Sequence, residues 1–176
     1  MRRTTLAAVL LLSLLPGSPA RASGVGSFRF EARSGRHTAT LILKTKAFDP
    51  SRHRVGSKKV GELLVTTVDG RAALGTDGSV PNVEIESFRF ILDGREVRVP
   101  RGLYSDCFDP GTDGRLVLKF GQDAESVFVF MHGSDGAGVY DVVWVLRKDG
   151  RHSRWANAGG DCSLFNFYCG LDKVPR

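Results

Sequence analysis

The dipeptide Asp-Gly recurs six times along the chain, at 69–70, 77–78, 93–94, 113–114, 135–136 and 149–150. Both residues tolerate positive φ, the backbone geometry that the tightest hairpin turns require, so each pair marks a corner. Between the corners lie short runs rich in Val, Ile, Phe, Leu and Thr. "SFRFEAR" alternates, with Phe28, Phe30 and Ala32 of one parity and Arg29, Glu31 and Arg33 of the other. A period of two puts these sets on opposite faces of a strand. Comparable runs follow at 38–44, 61–68, 83–92, 96–100, 115–120, 126–131 and 138–146, with 151–155 as a short last strand. Strands at this spacing predict an all-β chain: a single antiparallel β-sandwich, or a partly open barrel, of about eight or nine strands. A barrel enclosing a lipid-like ligand is the architectural alternative. No run keeps a helical period. "RGLYSDC" and "DCSLFNFYCG" accommodate at most a turn or two of helix, and no internal repeat stands out. The longest irregular pieces are 48–58 and 69–82.

Two runs carry more detail. In "VEIESFRFIL", Val83 and Ile85 share one parity and Phe88, Phe90 and Leu92 the other, so a straight strand would send them to opposite faces. A bulge near Glu86–Ser87 reunites the two sets. "SVFVFM" and "VYDVVWVL" are apolar on both parities, the pattern of strands covered on both sides. The expected core draws on Phe28, Phe30, Leu41, Leu43, Phe88, Phe90, Leu92, Leu116, Leu118, Phe128, Phe130, Tyr140, Val142, Trp144 and Leu146.

The first residues have the three-part layout of a secretory signal: "MRRTT", the apolar run Leu6–Leu15, then small residues around Ala20-Arg21-Ala22. The expected division is a signal peptide over 1–22 and a single β domain over 23–176, periplasmic or secreted and not membrane-spanning after cleavage. Removing 22 of 176 residues leaves 154, enough for one domain with a substantial core. Arg2, Arg3 and Arg21 leave with the signal and no acid does, so the formal charge falls from +6 to +3. The modest basic cluster Ser51–Lys59 reads as a solvated loop. Nucleic-acid binding would require a basic stripe with interleaved aromatics, so no nucleic-acid partner is expected. Export implies an oxidising compartment for Cys107, Cys162 and Cys169. A disulfide joins Cys162 to Cys169 if their segment is not fully helical; otherwise Cys107 reaches one of them. The shorter loop favours Cys162–Cys169.

The stretch "HGSDGAGVY" (132–140) poses the functional question. A nucleophile elbow needs Gly-x-Ser-x-Gly between a strand and a helix, and a phosphate loop needs a helix N-terminus. Here the spacing is wrong and a strand follows, so the stretch is a glycine-rich hairpin connection. Its polar residues still make a recognition edge, with His132, Ser134, Asp135 and Tyr140, joined by Trp155 beside Arg154, as candidate binding residues. Asp106, Asp109 and Asp113 place three carboxylates in one loop, which invites Ca²⁺. They lack the alternating Asp-x-Asp-x-Asp-Gly spacing and the closing Glu, so they are weak metal candidates, and Ca²⁺ is the only cofactor they suggest. His37, His53, His132 and His152 lie on separate segments without metal-binding spacing.

A small, exported, cysteine-bearing β domain with a Ser- and Tyr-containing hairpin loop resembles the bacterial periplasmic lysozyme inhibitors. The likeness covers that loop and the general architecture and transfers no residue role. The residues themselves offer no credible catalytic motif but do offer compact loops with Tyr, Trp, Arg and His. The expectation is therefore an exported, soluble, non-enzymatic binding module whose hairpin loops contact a protein or envelope component. One alternative is a hydrolase or Ca-binding enzyme with a site assembled from His132, Asp135 and the 106–113 loop. The other is a structural or assembly protein with no small ligand.

Overall fold

The computed structural model describes residues 24–158 except 62 and 135–137. Among these residues eleven strands appear in chain order: β1 (Gly26–Ser34), β2 (His37–Ala47), β3 (Val55–Val60), β4 (Leu63–Val68), β5 (Arg71–Ala72), β6 (Val83–Leu92), β7 (Arg95–Val97), β8 (Leu116–Phe120), β9 (Ser126–Gly133), β10 (Tyr140–Arg147) and β11 (His152–Ala158). They form three antiparallel sheets, β1-β2-β6-β7, β11-β10-β9-β8 and the smaller β3-β4-β5, and no sheet closes into a barrel. The predicted all-β, sandwich-like class is what the chain adopts. Single 3-10 turns at Pro50–Arg52 and Arg101–Leu103 are the helical content among the described residues, where no helix is long and apolar enough to cross a membrane.

The two larger sheets share one core. Leu41, Leu43, Phe88, Phe90 and Leu92 from one meet Val127, Val129, Met131, Val142, Trp144 and Leu146 from the other. Trp144 is fully buried, with Phe88 edge-on at 5.1 Å between ring centroids, and its indole N–H donates to the Leu103 carbonyl at 2.7 Å. That bond satisfies the polar atom that burial would otherwise leave unpaired. The expected core needs correction at its edges. β9 turns Val127, Val129 and Met131 into the shared core, so Phe128 and Phe130 lie on its opposite face. There Phe128 is half-buried and Phe130 is buried as expected but outside that core. Phe28 on β1 is likewise only half-buried. Both parities of β9 are apolar, and the larger side chains sit on the outer one.

The bulge forms where the parity slip requires it. Ser87 pairs with Lys44 and Ile85 with Thr45, so Glu86 is the surplus residue. Val83, Ile85, Phe88, Phe90 and Leu92 are all buried as a result. β3 is a departure from expectation, since it lies in a piece that reads as irregular. "VGSKKV" shows no alternation because β3 is an exposed edge strand, held by pairing to β4.

Two of the Asp-Gly corners close two-residue hairpins. Asp69 and Gly70 have φ of 53° and 81°, and Asp93 and Gly94 have 50° and 77°. Each aspartate also clamps a neighbouring strand in the same way. Asp93 bonds the His37 imidazole at 2.9 Å and the Thr38 N–H at 3.0 Å, while its own N–H donates to Thr38. Asp69 repeats the set with His53 and Arg54. The Arg-His of 36–37 and 52–53 and the Asp-Gly-Arg of 93–95 and 69–71 are thus a structural repeat that the sequence pattern conceals.

Candidate functional site

The site is built by loops gathered at one end of the sandwich. The segment Cys107–Asp109 runs between two others and bonds to both. Phe108 N–H donates to Leu74, and Asp109 N–H donates to Val83. Asp109 sits at φ 46°, and its carboxylate accepts the backbone N–H groups of Asn82 and Val83 at 3.1 and 2.8 Å. The hairpin connection after β9 joins the same seam. Ser134 N–H donates to Asp109 at 2.7 Å, its hydroxyl to Gly75 at 3.0 Å, and its carbonyl accepts from Arg115 at 2.7 Å.

Glycines make these approaches possible. A Cβ on Gly75 would overlap the Phe108 carbonyl, and one on Gly111 would overlap that of His132. Gly133 lies directly opposite Tyr140 across β9 and β10, and the Tyr140 ring folds over it with no room for a side chain. Gly133 therefore serves packing at the base of this connection. Tyr140 is 1% exposed, its hydroxyl donates to Phe108 at 2.9 Å, and burial pushes its pKa well above the usual value. It is a core strut that ties β10 to the central segment, and it presents no surface to a ligand.

These loops enclose a cleft of about 530 Å³. Asp77, Ser79 and Asn82 line one side, and Thr112, Asp113 and Arg115 another, with Ser134 between them. Asp77 and Asp113 are held below the ordinary carboxylate range, the first by the Ser79 hydroxyl and the second by the Arg115 guanidinium. Both are therefore ionised at neutral pH. The volume falls in the range of small-ligand and peptide sites, and the lining is a mix of fixed charges, hydroxyls and amide. Such a surface suits a hydrated polar group or polar peptide better than a lipid chain.

The other sequence candidates separate. His132 and Asp141 bond at 2.8 Å on the outer face of the second sheet, away from the Ser134 hydroxyl. Serine and histidine therefore do not meet as nucleophile and base. Trp155 stands on that outer face too, opposite Val143 and 44% exposed. Asp106, Asp109 and Asp113 do not converge as a Ca²⁺ loop. Asp106 takes Arg71 and Arg154 at 3.0 and 2.9 Å, Asp109 takes the backbone of 82–83, and Asp113 takes Arg115 at 3.0 Å. No group of three or more His, Cys, Asp or Glu gathers as a metal site among the described residues. Cys107 is a buried free thiol pushed up to about 12, chiefly by desolvation. Asp135, the Cys162–Cys169 pair and the signal segment 1–22 lie outside the described residues.

Sequence reading brought Ser134 and the 109–113 loop forward but missed Asp77, Ser79, Asn82 and Arg115. The signal was present in the length of the irregular piece 69–82, since long loops in compact domains are commonly functional. No family model, curated protein or solved structure shows significant similarity to this chain.

Proposed function

We propose that the protein is an exported, non-enzymatic binding module that holds a polar segment of an exported or envelope protein in the loop cleft. The supporting observation is the seam itself. Three segments far apart in sequence, 74–83, 107–115 and the base of the 132–140 connection, are joined by backbone hydrogen bonds into one cleft. A cleft fixed in advance loses little conformational entropy on binding, which is the use to which rigid loop clusters are commonly put. The signal-like segment 1–22 supports action outside the cytoplasm.

The test is capture from periplasmic extract with wild-type protein and two cleft variants, Thr112→Arg and Asp77→Ala. A partner held by the wild type should be lost at least tenfold with Thr112→Arg, which fills the cleft, and weakened with Asp77→Ala. Far-ultraviolet circular dichroism should be unchanged in both. Full retention by both folded variants refutes the cleft as the contact.

A further inference from the structure

The basic segment Ser51–Lys59 is the sequence feature that the loop cleft leaves unused. The fold gives its first residues a distinct setting. A second cavity, of about 300 Å³, lies where the small sheet meets β6 and the 101–105 segment. Arg52 reaches it from the end of a 3-10 turn, Arg71 from β5 and Arg101 from the start of the next 3-10 turn. His53, Ser105, Asp69 and Glu84 complete the polar lining.

Both acids in this lining lie within ion-pair distance of a basic side chain, although Glu84 Oε1 accepts no hydrogen bond among the described residues. Asp69 is bonded to the His53 ring at 2.9 Å and to Arg54 N–H at 3.0 Å. Glu84, 4% exposed, is met by Lys46 at 3.2 Å and by the other His53 ring nitrogen at 3.3 Å. Nearby Asp49 accepts both the N–H and the hydroxyl of Ser51. His53 is fixed by those two acids and by stacking on Phe48 at 4.8 Å. Arg71 is oriented by Ser105, the Gly102 carbonyl and Asp106 at 3.0–3.1 Å. Arg52 and Arg101 make no ion pair with a carboxylate among the described residues, so the cavity is lined by two guanidinium groups without a direct partner, although Arg52 lies in the field of Asp49. Like charges focused on a concavity raise the local positive potential and favour an anion there.

We propose that this cavity is a binding site for a phosphate-type oxyanion. Guanidinium groups recognise paired oxygens through parallel N–H donors. Three of them arriving from three separate elements match a tetrahedral centre, whose oxygens point in several directions, better than a planar carboxylate. Because the Ser105 oxygen accepts from Arg71, its O–H remains to donate to the anion. The site is separate from the loop cleft and does not depend on its function.

The experiment uses the protein expressed from residue 23 onward, with inorganic phosphate as the first probe. Isothermal titration should show saturable binding at constant ionic strength set with chloride. Arg52→Gln and Arg101→Gln should each weaken it about tenfold, while the cleft variant Thr112→Arg should leave it unchanged. A second arm uses vesicles of phosphatidylcholine with and without phosphatidylglycerol. Sedimentation with the anionic vesicles that both Arg variants abolish identifies a lipid headgroup as the source. Phosphate binding without sedimentation identifies the free anion. The proposal is overturned if neither arm shows binding, or if binding persists at full strength in both Arg variants, whose folding is checked by thermal unfolding.

Discussion

Replacing Gly133 with alanine tests the steric reading of the glycine-rich connection. A Cβ at 133 would overlap the Tyr140 ring and its hydroxyl. The ring is enclosed in the core, at 1% exposure, and so has no free space to move into. Overpacking of this kind costs about 1–3 kcal/mol. Displacing the ring also breaks the 2.9 Å hydroxyl bond to Phe108, worth about 1 kcal/mol net. The expected destabilisation is thus about 2–4 kcal/mol, or a fall in Tm of roughly 4–16 °C at about 2–4 °C per kcal/mol for a chain of this size. Tyr140→Ala is itself destabilising, by about 3–5 kcal/mol for loss of a buried aromatic. In that background, however, the clash is gone. Gly133→Ala should then be neutral or stabilising by up to about 1 kcal/mol, because alanine restricts the unfolded chain more than glycine. The assay is a double-mutant cycle by urea unfolding, with a coupling energy of at least about 2 kcal/mol expected. Equal costs of Gly133→Ala in both backgrounds, or no cost in the wild type, would refute the claim that Tyr140 dictates this glycine.

Deleting Glu86 removes the surplus residue and leaves Val83, Ile85, Phe88, Phe90 and Leu92 on one parity of a straight strand, so the variant should still fold, as should Glu86→Ala. A deletion variant that is unfolded in thermal melts would contradict the bulge assignment. Asp93 is lowered to about 2, mainly by His37, and Asp69 is lowered by His53. A lowered carboxylate contributes stability above its unfolded value near 4 and loses it as pH falls through the folded value. The urea midpoint should therefore decline between pH 4 and pH 2, and Asp93→Asn should differ from wild type most at pH 6 and least at pH 2. The buried Cys107 thiol should resist iodoacetamide at pH 8 in the native protein and react at once in urea, as read by peptide mass mapping of the segment that carries it.

The fold was legible because its signals are local. Alternation, apolar runs and Asp-Gly corners each act over a few residues, and even the bulge at Glu86 left a parity slip in the sequence. β3 was not legible, since an exposed edge strand is specified by backbone pairing to β4 rather than by its own side chains. The face of Phe128 and Phe130 was not legible because a strand apolar on both parities does not declare its inward side, even though Phe130 is buried. The site was harder. Ser134 drew notice for its company in one loop, yet its role comes from Gly75, Asp109 and Arg115, which lie 59, 25 and 19 residues away in the chain. Tyr140 stood next to the connection in sequence and inside the core in space. The His–Asp clamps at 37/93 and 53/69 likewise join partners 56 and 16 residues apart.

The claim on which the functional account turns is that the loop cleft is where a partner binds. Hydrogen exchange of the captured complex tests it most directly. The account predicts slowed exchange at 76–82 and 110–115, with the outer sheet face around Trp155 unchanged. Protection confined to that outer face, with the cleft loops exchanging as in the free protein, would contradict it.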